Sequence, residues 1–176
     1  VSISESASGD IWLRLANGFT SAWRDGKALS LGTFHGFALD GSNKVWAVVS
    51  GSSGAPVLWG LRLSPSGFQN VAAQENEIPL KSLQWLMSSP RGGYWRIADG
   101  QVQKYRDTQV AVDCGFLPTR TNTAIFAACE DREGNLILGT EGEGVLWFQP
   151  GGGIQITSRG IFRFNTNGEI DPRMLE

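Results

Sequence analysis

Short apolar runs recur along the chain, and each follows a polar turn that contains glycine. In four of these units a large apolar side chain comes directly after the turn, and the units are Ser8–Trp12, Gly41–Trp46, Arg91–Trp95 and Glu133–Ile137. Their last residues are 34, 49 and 42 positions apart. This spacing is close to the ~40–50 residues of a four-stranded propeller blade.

A second column of aromatic residues runs alongside the first. Trp23, Tyr105 and Trp147 follow their anchors by 11, 10 and 10 residues, and Trp59 is the expected equivalent in the second unit. The anchor residues and the aromatic residues after them repeat with the same spacing, and this pattern predicts four strands in each unit. For the third unit the predicted strands are Ser82–Ser88, Tyr94–Ala98, Val102–Arg106 and Gln109–Asp113, and for the fourth they are Thr123–Glu130, Asn135–Gly139, Gly144–Phe148 and Ile154–Thr157.

The predicted fold is therefore all-β. We expect a β-propeller segment of four four-stranded blades plus the start of a fifth, forming an arc of a larger ring. The predicted blades span residues 1–32, 33–73, 80–114 and 122–158, and residues 159–176 begin the fifth. In that tail, 161–165 would form the first strand of the new blade, or Gly160–Phe164 would repeat the third strand. A β-sandwich of short strands also fits many tight turns, but it does not predict the period.

Composition agrees with short strands and tight turns. The chain has 23 glycines among 176 residues, together with seven tryptophans and nine phenylalanines, whereas glycine usually makes up ~7% of a protein. The net charge is −2, and no basic cluster suits a nucleic-acid backbone. No apolar run approaches the ~20 residues of a membrane span. The chain begins at Val1 without a leader, so we expect a signal peptide to be either absent or already removed.

The segment Glu130–Phe148 resembles the repeat of the two-component regulator propeller family. It combines an acidic residue, a Gly-Asn turn, an apolar strand that ends in Gly-Thr, and a further strand that ends in aromatic residues. Ile137 stands where the family usually has tryptophan. The resemblance implies a periplasmic or extracellular sensor domain, commonly with seven blades or two such rings, that responds to a glycan or a protein. It also implies that the rest of the chain or another subunit completes the propeller.

Topology indicates where a ligand would bind. In a propeller the fourth-to-first and second-to-third strand connections share one face around the channel mouth. The predicted ligand-binding residues on that face are His35, Glu75, Glu77, Asp99, Arg120, Glu141 and Arg159. Trp85 is a possible stacking residue, because the first two units have no aromatic at its position. The same polar residues are equally typical of an ordinary solvated rim.

Catalytic, metal and cofactor sites are poorly represented. His35 is the single histidine and has no nucleophile beside it in the sequence, and Glu141 with Glu143 looks more like solvated turn charges than a glycosidase pair. Cys114 and Cys129 lack metal-ligand spacing. The strand assignment places them at opposite ends of neighbouring blades, so we expect two buried free thiols, no metal and no cofactor.

Three functional hypotheses follow from these patterns. The first is a non-enzymatic sensor or binding propeller outside the cytoplasm that recognises a glycan or a protein. The second is a structural module whose exposed blade faces dock onto other chains. The third, which the sequence favours least, is a propeller lyase or hydrolase.

Overall fold

The computed structural model describes residues 2–6, 9–40, 44–63, 71–118 and 124–174, with the backbone alone described at 62–63, 71–77 and 174. Within these ranges the chain forms β-strands and no helix. The first sheet consists of β1 (Ser2–Glu5), β2 (Ile11–Arg14), β3 (Phe19–Arg24) and β4 (Lys27–Thr33). The second consists of β5 (Gly36–Leu39), β6 (Lys44–Ser50), β7 (Pro56–Leu63) and β8 (Val71–Pro79). The third consists of β9 (Leu83–Ser88), β10 (Tyr94–Ala98), β11 (Gln101–Arg106) and β12 (Gln109–Phe116). The fourth consists of β13 (Ile125–Glu130), β14 (Leu136–Thr140), β15 (Gly144–Gln149), β16 (Gly152–Thr157), β17 (Gly160–Phe164) and β18 (Ile170–Met174).

Every strand in a sheet pairs with the strand that precedes or follows it in the chain, and all of these pairings are antiparallel. Four consecutive antiparallel strands are the arrangement of a propeller blade. The predicted all-β chain of successive four-stranded sheets is thus confirmed.

One type of five-residue turn joins the first two strands of the fourth sheet and recurs elsewhere. The amide of Asp131 donates to the carbonyl of Asn135 at 2.9 Å, and the amide of Gly134 donates back to the carbonyl of Asp131 at 3.1 Å. Glycine suits this position because its φ of 91° lies in the left-handed region. The same pair of bonds closes the turns Ser6–Asp10, Ser89–Gly93 and Asn165–Glu169.

Consecutive sheets pack face to face around one buried tryptophan per interface. Trp12 of the first sheet lies 5.7 Å from Phe37 of the second, between ring centroids. Trp46 of the second lies 5.0 Å from Tyr94 of the third, and Trp95 of the third packs among leucines of the fourth. A tryptophan buries about 150–250 Å², so each ring contributes roughly 4–6 kcal/mol at ~25 cal/mol per Å².

The faces of each sheet follow from the strand register. We call the face toward the preceding sheet the front face and the face toward the following sheet the back face. On the front faces the second and third strands place four cross-strand pairs in equivalent positions: Ile11–Trp23, Val45–Leu61, Tyr94–Tyr105 and Leu136–Phe148. The equivalent pairs on the back faces are Trp12–Ala22, Trp46–Gly60, Trp95–Lys104 and Ile137–Trp147.

Strand boundaries differ from the prediction in the second sheet and in the tail. Strand β8 continues to Pro79, because Pro79 still pairs with Val57, whereas residue 73 was the predicted end of that blade. The tail does not start a separate sheet in the structure. Strand β17 pairs with β16 through Ile156 and Ile161, so residues 160–174 extend the fourth sheet outward.

The second aromatic column is out of phase in two of the four units. Trp147 pairs with Ile137 on the back face, and its neighbour Phe148 takes the position of Tyr105. In the second sheet Leu61 is equivalent to Trp23, while Trp59 pairs with Ala47. The cause in the fourth sheet is the longer turn between its second and third strands, since a shift of one residue moves a side chain to the opposite face.

The two cysteines are both free. Cys114 is buried, as expected, and packs in the core between the third and fourth sheets. The prediction that Cys129 is buried is wrong, because its side chain is exposed. Cys129 pairs with Ile137 and therefore lies on the back face of the fourth sheet, which no described strand covers.

Candidate ligand-binding cavity

The predicted ligand-binding residues lie in different kinds of structure. His35 lies between β4 and β5, Asp99 in the turn between β10 and β11, and Glu141 in the turn between β14 and β15. These connections leave the sheets at the same end, because second-to-third and fourth-to-first connections alternate with the others in an antiparallel sheet. Arg159 lies in the turn between β16 and β17 at that end too.

Two of the predicted residues do not fit the loop assignment, and a third is not described. Glu75 and Glu77 belong to strand β8, and Glu77 pairs with Trp59 in the backbone register. The prediction puts them in a loop because it ends the fourth strand of that blade at residue 73, whereas β8 continues to Pro79. Arg120 lies outside the described residues.

A cavity of about 750 Å³ opens where the first strands of the sheets converge. Residues of β1, β5 and β9 line it, together with Ala128 of β13. His35 and Trp85 both contribute to its wall, so the structure brings these two predicted residues into one site. Asp99, Glu141 and Arg159 are not among the lining residues.

His35 is held at the rim of the cavity by two contacts. Its Nε2 lies 2.7 Å from the Oγ of Ser50, and its backbone amide donates to the carbonyl of Val48 at 2.7 Å. Ser50 ends strand β6 and also lines the cavity. The imidazole and the hydroxyl form a pair of groups that can each donate or accept a hydrogen bond. Such a pair can orient a polar ligand at the rim.

Arg14 brings a positive charge into the same wall. It ends strand β2, and its Nε donates to the carbonyl of Phe34 at 2.7 Å. This bond uses one of five N–H donors on the guanidinium group. Among the described lining residues Arg14 is the one with a fixed formal charge, and none carries a carboxylate. Sequence reasoning missed it, because nothing in the local pattern separates this arginine from other strand-end arginines.

Trp85 gives the cavity an aromatic surface. It lies in the middle of β9 opposite Ile97, half-buried, and packs partly against the core between the third and fourth sheets. Met87, two residues further along the same strand, lines the cavity on the same side. An aromatic ring that is fixed on one edge and open on the other is a suitable stacking surface for a flat ligand.

Asp99 has a structural role in the turn that it occupies. Its Oδ1 accepts a hydrogen bond from the amide of Ser82 at 2.7 Å, and its backbone has a positive φ of 56°. Glu141 and Arg159 are exposed at the tips of their turns. The alternative interpretation of these residues as a solvated rim is therefore in keeping with their surroundings.

Among the described residues no group of three or more histidine, cysteine or acidic side chains is placed to hold a metal ion. Glu143, the second member of the carboxylate pair, accepts a hydrogen bond from Gln155 through its carbonyl at 2.9 Å. Within the ranges that the structure describes, no helix has the length and apolarity needed to cross a membrane.

Several solved structures show a distant likeness to this chain. No family model and no curated protein matches the sequence. The chain is similar to YCF48 bound to D1 peptide, with 14% identity, a TM-score of 0.38 and coverage of 93% of this chain and 78% of that chain. It is also similar to catalytically inactive virginiamycin B lyase from Staphylococcus aureus with quinupristin, with 8% identity, a TM-score of 0.32 and coverage of 93% and 83%. At these TM-scores neither likeness bears on the ligand or activity of this chain.

Proposed function

We propose that this chain is a non-enzymatic binding domain built on propeller blades and that it holds its ligand in the cavity between the first strands of its sheets. One observation carries the proposal: the cavity combines the aromatic surface of Trp85 with the donors of Arg14 and the His35–Ser50 pair. Its 750 Å³ volume falls in the range of roughly 300–1,000 Å³ that is typical of ligand sites.

The wall chemistry favours a glycan. A sugar ring offers an apolar face to an aromatic side chain and hydroxyl groups to the surrounding donors and acceptors. Because Arg14 supplies a positive charge and no described lining residue supplies a negative one, an acidic sugar would bind more tightly than a neutral one. A protein segment with exposed carbonyl or carboxylate groups is the alternative ligand.

The proposal also covers the kind of protein that contains this domain. We place the domain in a periplasmic or extracellular sensor of the two-component type, or in a secreted binding protein, where further blades of its own chain or another subunit complete the propeller. The resemblance of Glu130–Phe148 to the regulator repeat supports this setting. The absence of a carboxylate among the described lining residues supports a role without hydrolysis, which needs paired carboxylates in most glycosidases.

Calorimetric titration tests the ligand proposal. Neutral oligosaccharides, oligosaccharides that contain uronic acids, and acidic peptides would be titrated into the protein. We expect the acidic oligosaccharides to bind and Trp85→Ala to weaken them about tenfold, equivalent to ~1.4 kcal/mol. Phe126→Ala is the matched control, because Phe126 is an exposed aromatic outside the lining. An equal loss of affinity in Trp85→Ala and Phe126→Ala would contradict the proposal. So would the absence of binding by any of these ligands.

The same samples test the absence of catalysis. Products released from a bound oligosaccharide would be followed by mass spectrometry over hours. We expect none. Turnover that disappears in His35→Ala would show that the cavity is an active site.

A further inference from the structure

The front face of the first sheet carries an apolar surface that no described strand covers. Trp23 is 54% exposed and Ile11 is 41% exposed. Their equivalents in the other three sheets, the pairs Val45–Leu61, Tyr94–Tyr105 and Leu136–Phe148, are at most 7% exposed. Those pairs are buried because the preceding sheet packs on them. The first sheet therefore presents the same kind of face without a sheet against it.

The back face of the fourth sheet is the counterpart at the other end. Ile137 and Trp147 hold the positions that Trp12, Trp46 and Trp95 occupy in the other sheets, where the tryptophans are at most 1% exposed. Ile156 and Ile161, which share this face through the register, are 41% and 39% exposed. Large exposed apolar surfaces of this kind mark interaction sites.

Each end face also carries an exposed charged residue, and the two charges are of opposite sign. Glu130 pairs with Leu136 at the edge of the fourth sheet's front face, and it accepts hydrogen bonds from Trp95 at 2.8 Å and Lys104 at 3.1 Å across the interface. Glu5 pairs with Ile11 and is the equivalent residue of the first sheet, but it is exposed. On the back face of the fourth sheet the exposed basic residue is Arg163, which pairs with Ile154 and lies near Asp171.

We propose that a second copy of this chain covers both end faces. The back face of the fourth sheet of one copy packs on the front face of the first sheet of the other, and a two-fold axis repeats this contact. The contact continues the type of interface that already joins the sheets within the chain. Two sets of four sheets give eight, which lies within the range of about 4–8 blades found in propellers. The dimer needs both contacts, because a single head-to-tail contact would leave one apolar face of each copy exposed and allow further copies to add.

The cavity supports this geometry. Its lining includes Ser2 and Ser4 of the first sheet and Ala128 of the fourth, so the first strands of all four sheets converge on one space. A row of sheets that curves around a shared space can be completed by an identical row on the other side. The proposal concerns the end faces and stands apart from the identity of the ligand.

Sedimentation velocity of the 176-residue chain tests the proposal at protein concentrations from about 1 to 100 µM. This range detects both transient and stable dimers. We expect a dimer of discrete size. Trp23→Asp on the front face and Ile156→Asp on the back face should each convert the dimer to a monomer. Both copies carry the substitution, so each variant disrupts both contacts related by the two-fold axis. Val110→Asp is the control: Val110 is an exposed apolar residue of the internal third sheet, and its variant should remain dimeric.

Alkylation of Cys129 supplies a second readout. The thiol is exposed on the back face of the fourth sheet, so its alkylation should slow as the protein concentration rises. A monomer across the whole range would overturn the proposal. A dimer that only one of the two aspartate variants dissociates would also overturn it, because it would join like faces.

Discussion

The indole N–H of Trp95 donates to Oε2 of Glu130 at 2.8 Å, across the interface between the third and fourth sheets. Lys104 reaches Oε1 of the same carboxylate at 3.1 Å, and the Glu130 side chain is fully buried. Trp12, in the equivalent position of the first sheet, has a buried indole nitrogen without a hydrogen-bond partner in the described part of the chain. The repeat thus keeps the apolar ring at each interface while the polar partner of the ring varies.

This contrast predicts different costs for the same substitution. Trp95→Phe and Trp12→Phe both remove part of a buried ring, but only the first removes a hydrogen bond to a charged group. We expect Trp95→Phe to lower the free energy of unfolding by about 1.5–3 kcal/mol more than Trp12→Phe. Urea denaturation of the two variants measures the difference, and equal costs would show that the hydrogen bond contributes nothing net.

Removal of the Glu130 carboxylate should lower the free energy of unfolding more than Trp95→Phe does. Glu130→Ala leaves the buried ammonium group of Lys104 without its partner, which costs about 3–5 kcal/mol in comparable sites. The double variant Glu130→Leu with Lys104→Met replaces the pair by apolar side chains and should recover most of that loss. Thermal unfolding of the single and double variants tests this, and a double variant as unstable as the single would contradict it.

The two thiols should react at very different rates. Burial, and next to it the charge of Asp113, raise the pKa of Cys114 to about 11, so little thiolate forms at pH 8. Cys129 is exposed. At low protein concentration we expect iodoacetamide to label Cys129 alone in the native protein and both cysteines in urea, as read by peptide mass spectrometry. Native labelling of Cys114 at a comparable rate would refute its burial.

Asp131 should make stability depend on acid pH. Partial desolvation raises the pKa of its carboxyl, but hydrogen bonds from the Asn135 side chain, the backbone amides of the turn and the Trp147 indole together lower it below 3.8. A lowered folded-state pKa contributes stability above the unfolded value, and this contribution is lost as pH falls through the folded-state pKa.

Asp131→Asn should therefore be less stable than the parent protein at pH 7, and the difference should shrink below pH 4. Urea midpoints at the two pH values measure it. Glu133→Gln is the control, because it removes a charge from the same turn but none of the hydrogen bonds that the Asp131 side chain accepts.

Two glycines with the same backbone angle form a matched pair. Gly93 and Gly100 both have a φ of 77°, so alanine is strained at either position by roughly 1 kcal/mol. An added Cβ at Gly93 would lie 2.0 Å from the carbonyl oxygen of Tyr105, whereas at Gly100 it meets nothing within 4 Å. We expect Gly100→Ala to cost about that strain alone and Gly93→Ala to unfold the third sheet at a much lower urea concentration. Circular dichroism during denaturation separates the two outcomes.

The tryptophan repeat predicted the sheet interfaces well, because Trp12, Trp46 and Trp95 keep one register position and therefore one direction. The second column failed where turn lengths differ. Asp99–Gly100 is a two-residue turn, whereas Glu141–Glu143 spans three residues, so an equal spacing of ten residues ends on opposite faces. A spacing count that ignores turn length cannot detect such a shift.

The cavity was predictable only in part. His35 and Trp85 were recognised, one as a loop residue and the other as an aromatic without equivalents. Arg14 and Ser50 were missed, because they reach the site only when the first strands of separate sheets converge. That convergence is a property of sheet packing and has no signature in the local alternation of residues. The placement of Glu75 and Glu77 in a loop is wrong for a simpler reason, since β8 is longer than the pattern indicated.

The pairing of every strand with its neighbour in the chain has a consequence for assembly. Each hairpin can close as soon as its residues are available, through turns such as Asp131–Asn135 that need no distant partner. Short loops cost little closure entropy, and local contacts favour rapid folding. Each completed sheet then offers its apolar face to the sheet that emerges next, so the molecule can form in order, from its first strand to its last, during its own synthesis.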